Sequence, residues 1–128
     1  MAHRSPGGLV RILLADDEDQ LRGILTRVLQ AQGWEVLAVP NGREAVEAWP
    51  QDGQPFDLLI LDLRMPELGG VPVWRALRER QPQPQVLFIS GHGTGEQWDV
   101  VLEEGLPYLR KPFRPSALVS RVRELMTQ

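Results

Sequence analysis

Asp57-Leu58-Leu59-Ile60-Leu61-Asp62-Leu63-Arg64-Met65-Pro66 is the stretch that decides how this chain folds. The apolar run 58–61 is unbroken, which suits a strand buried on both faces at the centre of a parallel sheet. It ends on an acid, Asp62, and a turn-rich segment with Met65, Pro66, Gly69 and Gly70 follows. Asp57, at the entry end of the strand, reads as a capping or turn residue without chemistry.

Working outward, similar short runs alternate with helical spacing. Upstream, a strand over 10–15 stops abruptly at Asp16, Asp17, Glu18 and Asp19. Leu21, Ile24, Leu25, Val28 and Leu29 then recur at three and four, one apolar stripe of a helix with Gly33 just past its end. A second strand covers 34–39. Asn41 caps a short helix carrying Ala45, Val46 and Trp49, which 50–55 terminates. Downstream, Val73, Trp74 and Leu77 mark a third helix, and 86–89 a fourth strand that leads into Ser90 and a loop over 91–95. A helix around 96–104 has a thin apolar pattern. A short strand at 108–110 precedes Lys111 and Pro112, and Pro115 opens a last helix whose Leu118, Val119, Val122 and Leu125 face inward. Strand and helix in strict alternation imply an α/β fold, a parallel sheet with helices on both faces.

Composition narrows the function classes. With 128 residues there is room for one core without staples, and a net charge of -3 does not mark a nucleic-acid or membrane-surface binder. There is no cysteine, which excludes disulfides, thiolate metal sites and thiol nucleophiles. No apolar run is long enough to span a bilayer, and 1–8 lacks a signal core, so the chain reads as cytoplasmic: a lead-in over 1–8 and a single domain over 9–128.

In open parallel sheets ligands bind outside the carboxyl ends of the strands. The residues that follow strands one, three, four and five are Asp16 with Asp17, Asp62, Ser90 and Lys111. Two carboxylates about 5 Å apart repel by roughly 3 kcal/mol at an effective dielectric near 20, so three of them need cationic compensation or one must stay protonated. An all-oxygen set favours a hard divalent ion such as magnesium, with manganese as a substitute, over zinc. A cation beside a carboxylate, a hydroxyl and an ammonium suits phosphoryl transfer, and a carboxylate can be the nucleophile. Asp62, on the central strand, is the best candidate. His92 is a poor metal ligand, because the only other histidine is His3. The loop 91–95 lacks a nucleotide-binding pattern. Trp34, Trp49, Trp74 and Trp98 read as packing residues, with Trp98 the one open to exposure.

The segments Leu13-Leu14-Ala15-Asp16-Asp17-Glu18, 57–66 as quoted above, Val86-Leu87-Phe88-Ile89-Ser90-Gly91 and Tyr108-Leu109-Arg110-Lys111-Pro112-Phe113 resemble, in order and approximate spacing, the four signature blocks of response-regulator receiver domains. The similarity runs from about Val10 to Met126. It implies a flavodoxin-like three-layer sandwich with strand order 2-1-3-4-5. It also implies that Asp62 is the phosphoacceptor, that Asp17 binds magnesium directly and Asp16 mostly through water, and that the backbone carbonyl of Arg64 is a further ligand. Ser90 and Lys111 would contact phosphoryl oxygens, the Lys111-Pro112 bond would be cis, and Ser90 with Tyr108 would form the switch. Arg64 and His92 stand where receivers tune phosphoryl lifetime. The approach 105–108 is about one residue short, which points to a shortened or irregular fourth helix and resembles receivers appended to hybrid histidine kinases.

The resemblance implies a phosphorelay domain: a signalling module rather than a turnover enzyme, loaded by a histidine kinase or histidine phosphotransfer domain. Its protein target would dock on the face of helix four, strand five and helix five, without direct nucleic-acid or membrane contact, as a monomer or weak homodimer. No output domain follows Gln128 in this sequence, so the chain is expected to be either a free-standing relay or one domain of a larger protein. Two other readings compete. One is a receiver-like interaction module independent of phosphorylation. The other is a magnesium-dependent phosphohydrolase with an aspartate nucleophile, against which Arg64 stands where such enzymes place a second acid.

Overall fold

The computed structural model describes residues 9–49, 55–80, 84–91 and 95–127. The expected lead-in over 1–8, most of the segment 50–55 and His92 lie outside them. The elements are β1 (Arg11–Ala15), α1 (Asp19–Gln30), β2 (Glu35–Val39), α2 (Gly42–Glu47), β3 (Leu58–Asp62), α3 (Gly70–Arg78), β4 (Gln85–Ser90), α4 (Glu96–Glu103), β5 (Tyr108–Arg110) and α5 (Pro115–Met126). All four strand pairings are parallel, and the order is β2-β1-β3-β4-β5. The α/β reading and its strand order therefore hold.

Every residue of β3 is buried, as an apolar central strand requires, whereas edge strand β2 alternates between exposed and partly covered positions up to the buried Val39. Alternation of side chains about the sheet splits the core in two. Leu13, Leu59, Leu61 and Phe88 pack with Val73, Trp74 and Leu77 of α3 and Trp98 of α4. Ile12, Leu14, Ile60 and Ile89 pack on the other face with Leu25 and Leu29 of α1 and Leu118 and Val122 of α5.

The local signals at the element ends hold as well. Asn41 accepts a hydrogen bond from the Glu44 N–H at 2.8 Å and so caps α2, and Gly33 adopts φ +89 after α1. Asp57 accepts from the Arg11 N–H at 2.8 Å, tying the entry of β3 to that of β1.

One expectation needs correction, and two points left open are settled. Ile24 is not in the buried stripe but 47% exposed. The stripe against the sheet is centred on Leu21, Leu25 and Leu29, and at about 100° per residue Ile24 falls on its flank. Trp98 is buried at 7% exposure rather than open. Finally, α4 is short but regular. Its Gly105 (φ +63) and Leu106 N–H groups bond back to the carbonyls of Leu102 and Val101, a Schellman ending that turns the chain directly into β5. Among the described residues no helix is long and apolar enough to cross a membrane.

Candidate functional site

Because the sheet is parallel, the carboxyl ends of its strands lie along one edge. Ala15 pairs with Leu61 and Asp62 with Ile89, so Asp16 and Asp62 leave neighbouring strands at the same level. One carboxylate oxygen from each of Asp16, Asp17 and Asp62 lies within 4.8 Å of the other two. Lys111, one residue beyond β5, reaches across to this cluster. Its Nζ is 2.7 Å from Asp62 Oδ2, 3.0 Å from Glu18 Oε2 and 3.5 Å from Asp16 Oδ2. The Lys111-Pro112 bond that follows is cis, as expected.

These acids have different surroundings. Asp17 is exposed, whereas Asp16 and Asp62 are buried. Asp62 Oδ1 accepts from the Arg64 N–H at 3.1 Å and Oδ2 from Lys111. Burial pushes the Asp62 carboxyl above its ordinary range, against the pull of Lys111. Burial likewise raises Asp16 to about 6, opposed by the Glu18 N–H, with repulsion from Asp62 adding to the rise. Burial alone would lower the pKa of Lys111, but its bonds to Asp62 and Glu18 outweigh that and raise it, so the ammonium stays charged.

The donor set fits a hard divalent cation. All its groups are oxygens, and the buried Asp16 Oδ2 receives no hydrogen bond among the described residues. The Lys111 ammonium contacts three of the four carboxylates gathered there, more negative charge than it balances alone. Asp17, Glu18, Asp62, Arg64, Gly91 and Lys111 line an open cleft of about 260 Å³, which gives a reactant access to Asp62.

The sheet edge thus brings Asp16, Asp17, Asp62 and Lys111 together, with Arg64 on the cleft wall. Ser90 is buried at the end of β4, next in the chain to cleft residue Gly91, and Tyr108 is 37% exposed with its ring edge-on to Trp98 at 4.8 Å between centroids. Two participants escaped the sequence reading. Glu18 pairs with Lys111, and only its place in the acidic run hinted at this. Gln97 hydrogen-bonds into the loop after Asp62, and no periodicity or motif signals that.

Residues 12–123 match the response regulator receiver domain family. The chain belongs to that family. This receiver is 39% identical over 116 residues to the DNA-binding response regulator MtrA of Mycobacterium leprae, covering 88% of this chain and 49% of that protein. It is 32% identical over 125 residues to the transcriptional regulatory protein TrcR of Mycobacterium tuberculosis, covering 97% and 48%. The receiver thus spans about half the length of the curated relatives it matches. Among solved structures it superposes on the receiver domain of the hybrid histidine kinase CckA, with TM-score 0.75 and 33% identity over 91% of this chain and 98% of that one. A response regulator receiver domain protein from Clostridium thermocellum gives TM-score 0.82 and 28% identity over 93% and 95%. Receiver domains are modules of two-component signalling, not enzymes in the ordinary sense.

Proposed function

We propose that this receiver accepts a phosphoryl group on Asp62 from a phosphohistidine of a histidine kinase or histidine phosphotransfer domain. A carboxylate oxygen of Asp62 attacks phosphorus as the P–N bond breaks. The bonding pair stays with the imidazole nitrogen, which takes up a proton, and the product is an acyl phosphate. The observation that carries this reading is the Lys111 Nζ 2.7 Å from Asp62 Oδ2 at the mouth of an open acidic cleft. The ammonium holds the ionised carboxylate in place and is positioned to pair with a phosphoryl oxygen. Magnesium, or manganese in its place, would be held by Asp16, Asp17, Asp62 and the Arg64 carbonyl and would supply neutralisation of the phosphoryl charge.

Ser90 would contact another phosphoryl oxygen, and Ser90 with Tyr108 would carry the change to the face of α4, β5 and α5, where a protein partner binds. On this reading the domain acts in the cytoplasm and touches neither nucleic acid nor membrane itself. DNA binding in MtrA is a property of that longer protein. The exposed Arg64 on the cleft wall supplies no second acid for a phosphohydrolase.

Acetyl phosphate with magnesium should yield one labile phosphoryl adduct by intact mass, missing from Asp62→Asn. No adduct on the wild type would sink the reading in favour of an interaction module that does not use phosphate.

A further inference from the structure

We propose that Gln97 is a positioning residue that couples the loop after Asp62 to the face formed by α4 and β5. Gln97 lies in the first turn of α4, and both ends of its carboxamide are engaged outside that helix. Its Nε2 donates to the Leu63 carbonyl at 2.7 Å, and its Oε1 accepts from the Val71 N–H at 2.9 Å. Leu63 sits between Asp62 and Arg64, so its carbonyl is part of the backbone that presents the acceptor and the Arg64 carbonyl. Val71 is in the first turn of α3, whose N-cap, Gly69, has no side chain to satisfy that N–H. Gln97 therefore caps α3 from another helix.

The chemistry selects this residue type. The site offers a carbonyl on one side and an N–H on the other, and a carboxamide is the side chain that carries a donor and an acceptor on one carbon. Glutamate would keep the acceptor but set an oxygen against the Leu63 carbonyl, and leucine would satisfy neither group. Gly69 completes the fit, because a Cβ there would come within 2.5 Å of both amide atoms of Gln97 and of the Leu63 oxygen. Gln97 also lines a second cleft with Asp17, Arg64, Met65 and Pro66, directly beside the acidic site.

The next residue makes this a coupling. Trp98, in the same helical turn, is buried edge-on against the Tyr108 ring, and the Arg110 guanidinium lies 5.4 Å from the Trp98 ring centre. One turn of α4 thus grips the acceptor loop through Gln97 and strand β5 through Trp98. A rearrangement of the loop shifts the Trp98 environment, and by reciprocity a partner that moves α4 alters the affinity of the acidic site. This rests on the proposed acceptor role of Asp62 only where phosphorylation is used as the stimulus.

The test uses the full chain as wild type, Gln97→Leu and Gln97→Glu, with far-UV circular dichroism to check folding. Fluorotryptophan labelling follows Trp98 by fluorine NMR, its signal assigned with Trp98→Phe. In the wild type, magnesium alone and then acetyl phosphate should each move the Trp98 signal. In Gln97→Leu the movement should fall to about a third or less while the adduct on Asp62 still forms, with Gln97→Glu in between. The Val71 amide should exchange about tenfold faster in Gln97→Leu, the loss of one hydrogen bond, with β3 amides unchanged.

A wild-type Trp98 response in a folded Gln97→Leu protein, or unchanged Val71 exchange, would overturn the coupling. If Gln97→Leu does not fold, the same comparison is decided on Gln97→Glu. Failure of the wild type to form an adduct would instead overturn the acceptor role, and the magnesium and exchange measurements would still decide the coupling.

Discussion

Lys111 Nζ lies 2.7 Å from Asp62 Oδ2, joining the chain beyond edge strand β5 to the end of the central strand over a separation of 49 residues. The sheet sets β4 between β3 and β5 with every strand pointing the same way, and so delivers both groups to one edge. Lys111→Met removes the ammonium and leaves Asp62 buried among acids. Phosphoryl incorporation from acetyl phosphate should fall by about 10²-fold, the usual cost of losing one preorganised contact to transferring oxygens. An intact-mass time course with an unchanged rate would rule out the role assigned to Lys111.

Acidification should stabilise the metal-free protein through Asp16. Its folded pKa, about 6, is above its ordinary 3.8, so between those values the folded state binds more protons than the unfolded state. Stability from this group is therefore fully present below about pH 4 and is lost as pH rises through 6. Asp16→Asn escapes the cost of burying the charge. With a chelator present it should exceed the wild type at pH 7.5 by up to about 3 kcal/mol, a shift of some two units, and the gap should close toward pH 4. Urea titrations at several pH values check this, and a gap independent of pH would contradict the buried charge at Asp16.

Magnesium should change tryptophan emission modestly, through Trp98 behind the Gln97 contact. Asp17 is the exposed member of the acid cluster, and on the proposed function it binds the ion directly. Asp17→Ala should weaken the apparent magnesium affinity by at least about tenfold, a loss on the order of 1.4 kcal/mol. Equal fluorescence titrations for the two proteins would mean that the ligands are misassigned.

Gly70→Ala should disturb stability and the loop after Asp62 together. A Cβ there would meet the Asp62 carbonyl at 2.7 Å and the Leu63 Cα at 3.3 Å, both backbone atoms that cannot rotate away. Overpacking of this kind costs about 1–3 kcal/mol. A lowered urea midpoint with slower phosphoryl labelling is expected, and wild-type values for both would show that the loop is freer to move than its packing implies.

The elements most legible in the sequence are those whose signal is local. The apolar run 58–61, the Asn41 cap and Gly33 each carry their own physical reason, and the acids and lysine of the site are readable because a parallel sheet leaves only one edge for them to share. What the sequence hides depends on packing between distant segments. Ile24 has the spacing of a core residue, but the sheet covers a narrower arc of α1 than its apolar face offers. The apolar pattern of α4 is thin because Trp98 and Val101 are its only buried residues. Gln97 is invisible for the same reason, since its two partners lie 34 and 26 residues away and are backbone atoms with no side-chain identity.

The unequal lengths of the two edge strands bear on self-association. An edge strand is a template for a foreign strand, and a short one offers few backbone groups to capture. β5, with three residues, is nearly blunt, whereas β2 presents five, including Leu37 at 42% exposure. Aggregation on heating should therefore start from β2, and Leu37→Lys should raise the onset temperature of light scattering with little effect on phosphoryl labelling. Protection of this fold against fibril-like stacking is thus lopsided, strong beside Tyr108 and weak at the opposite margin.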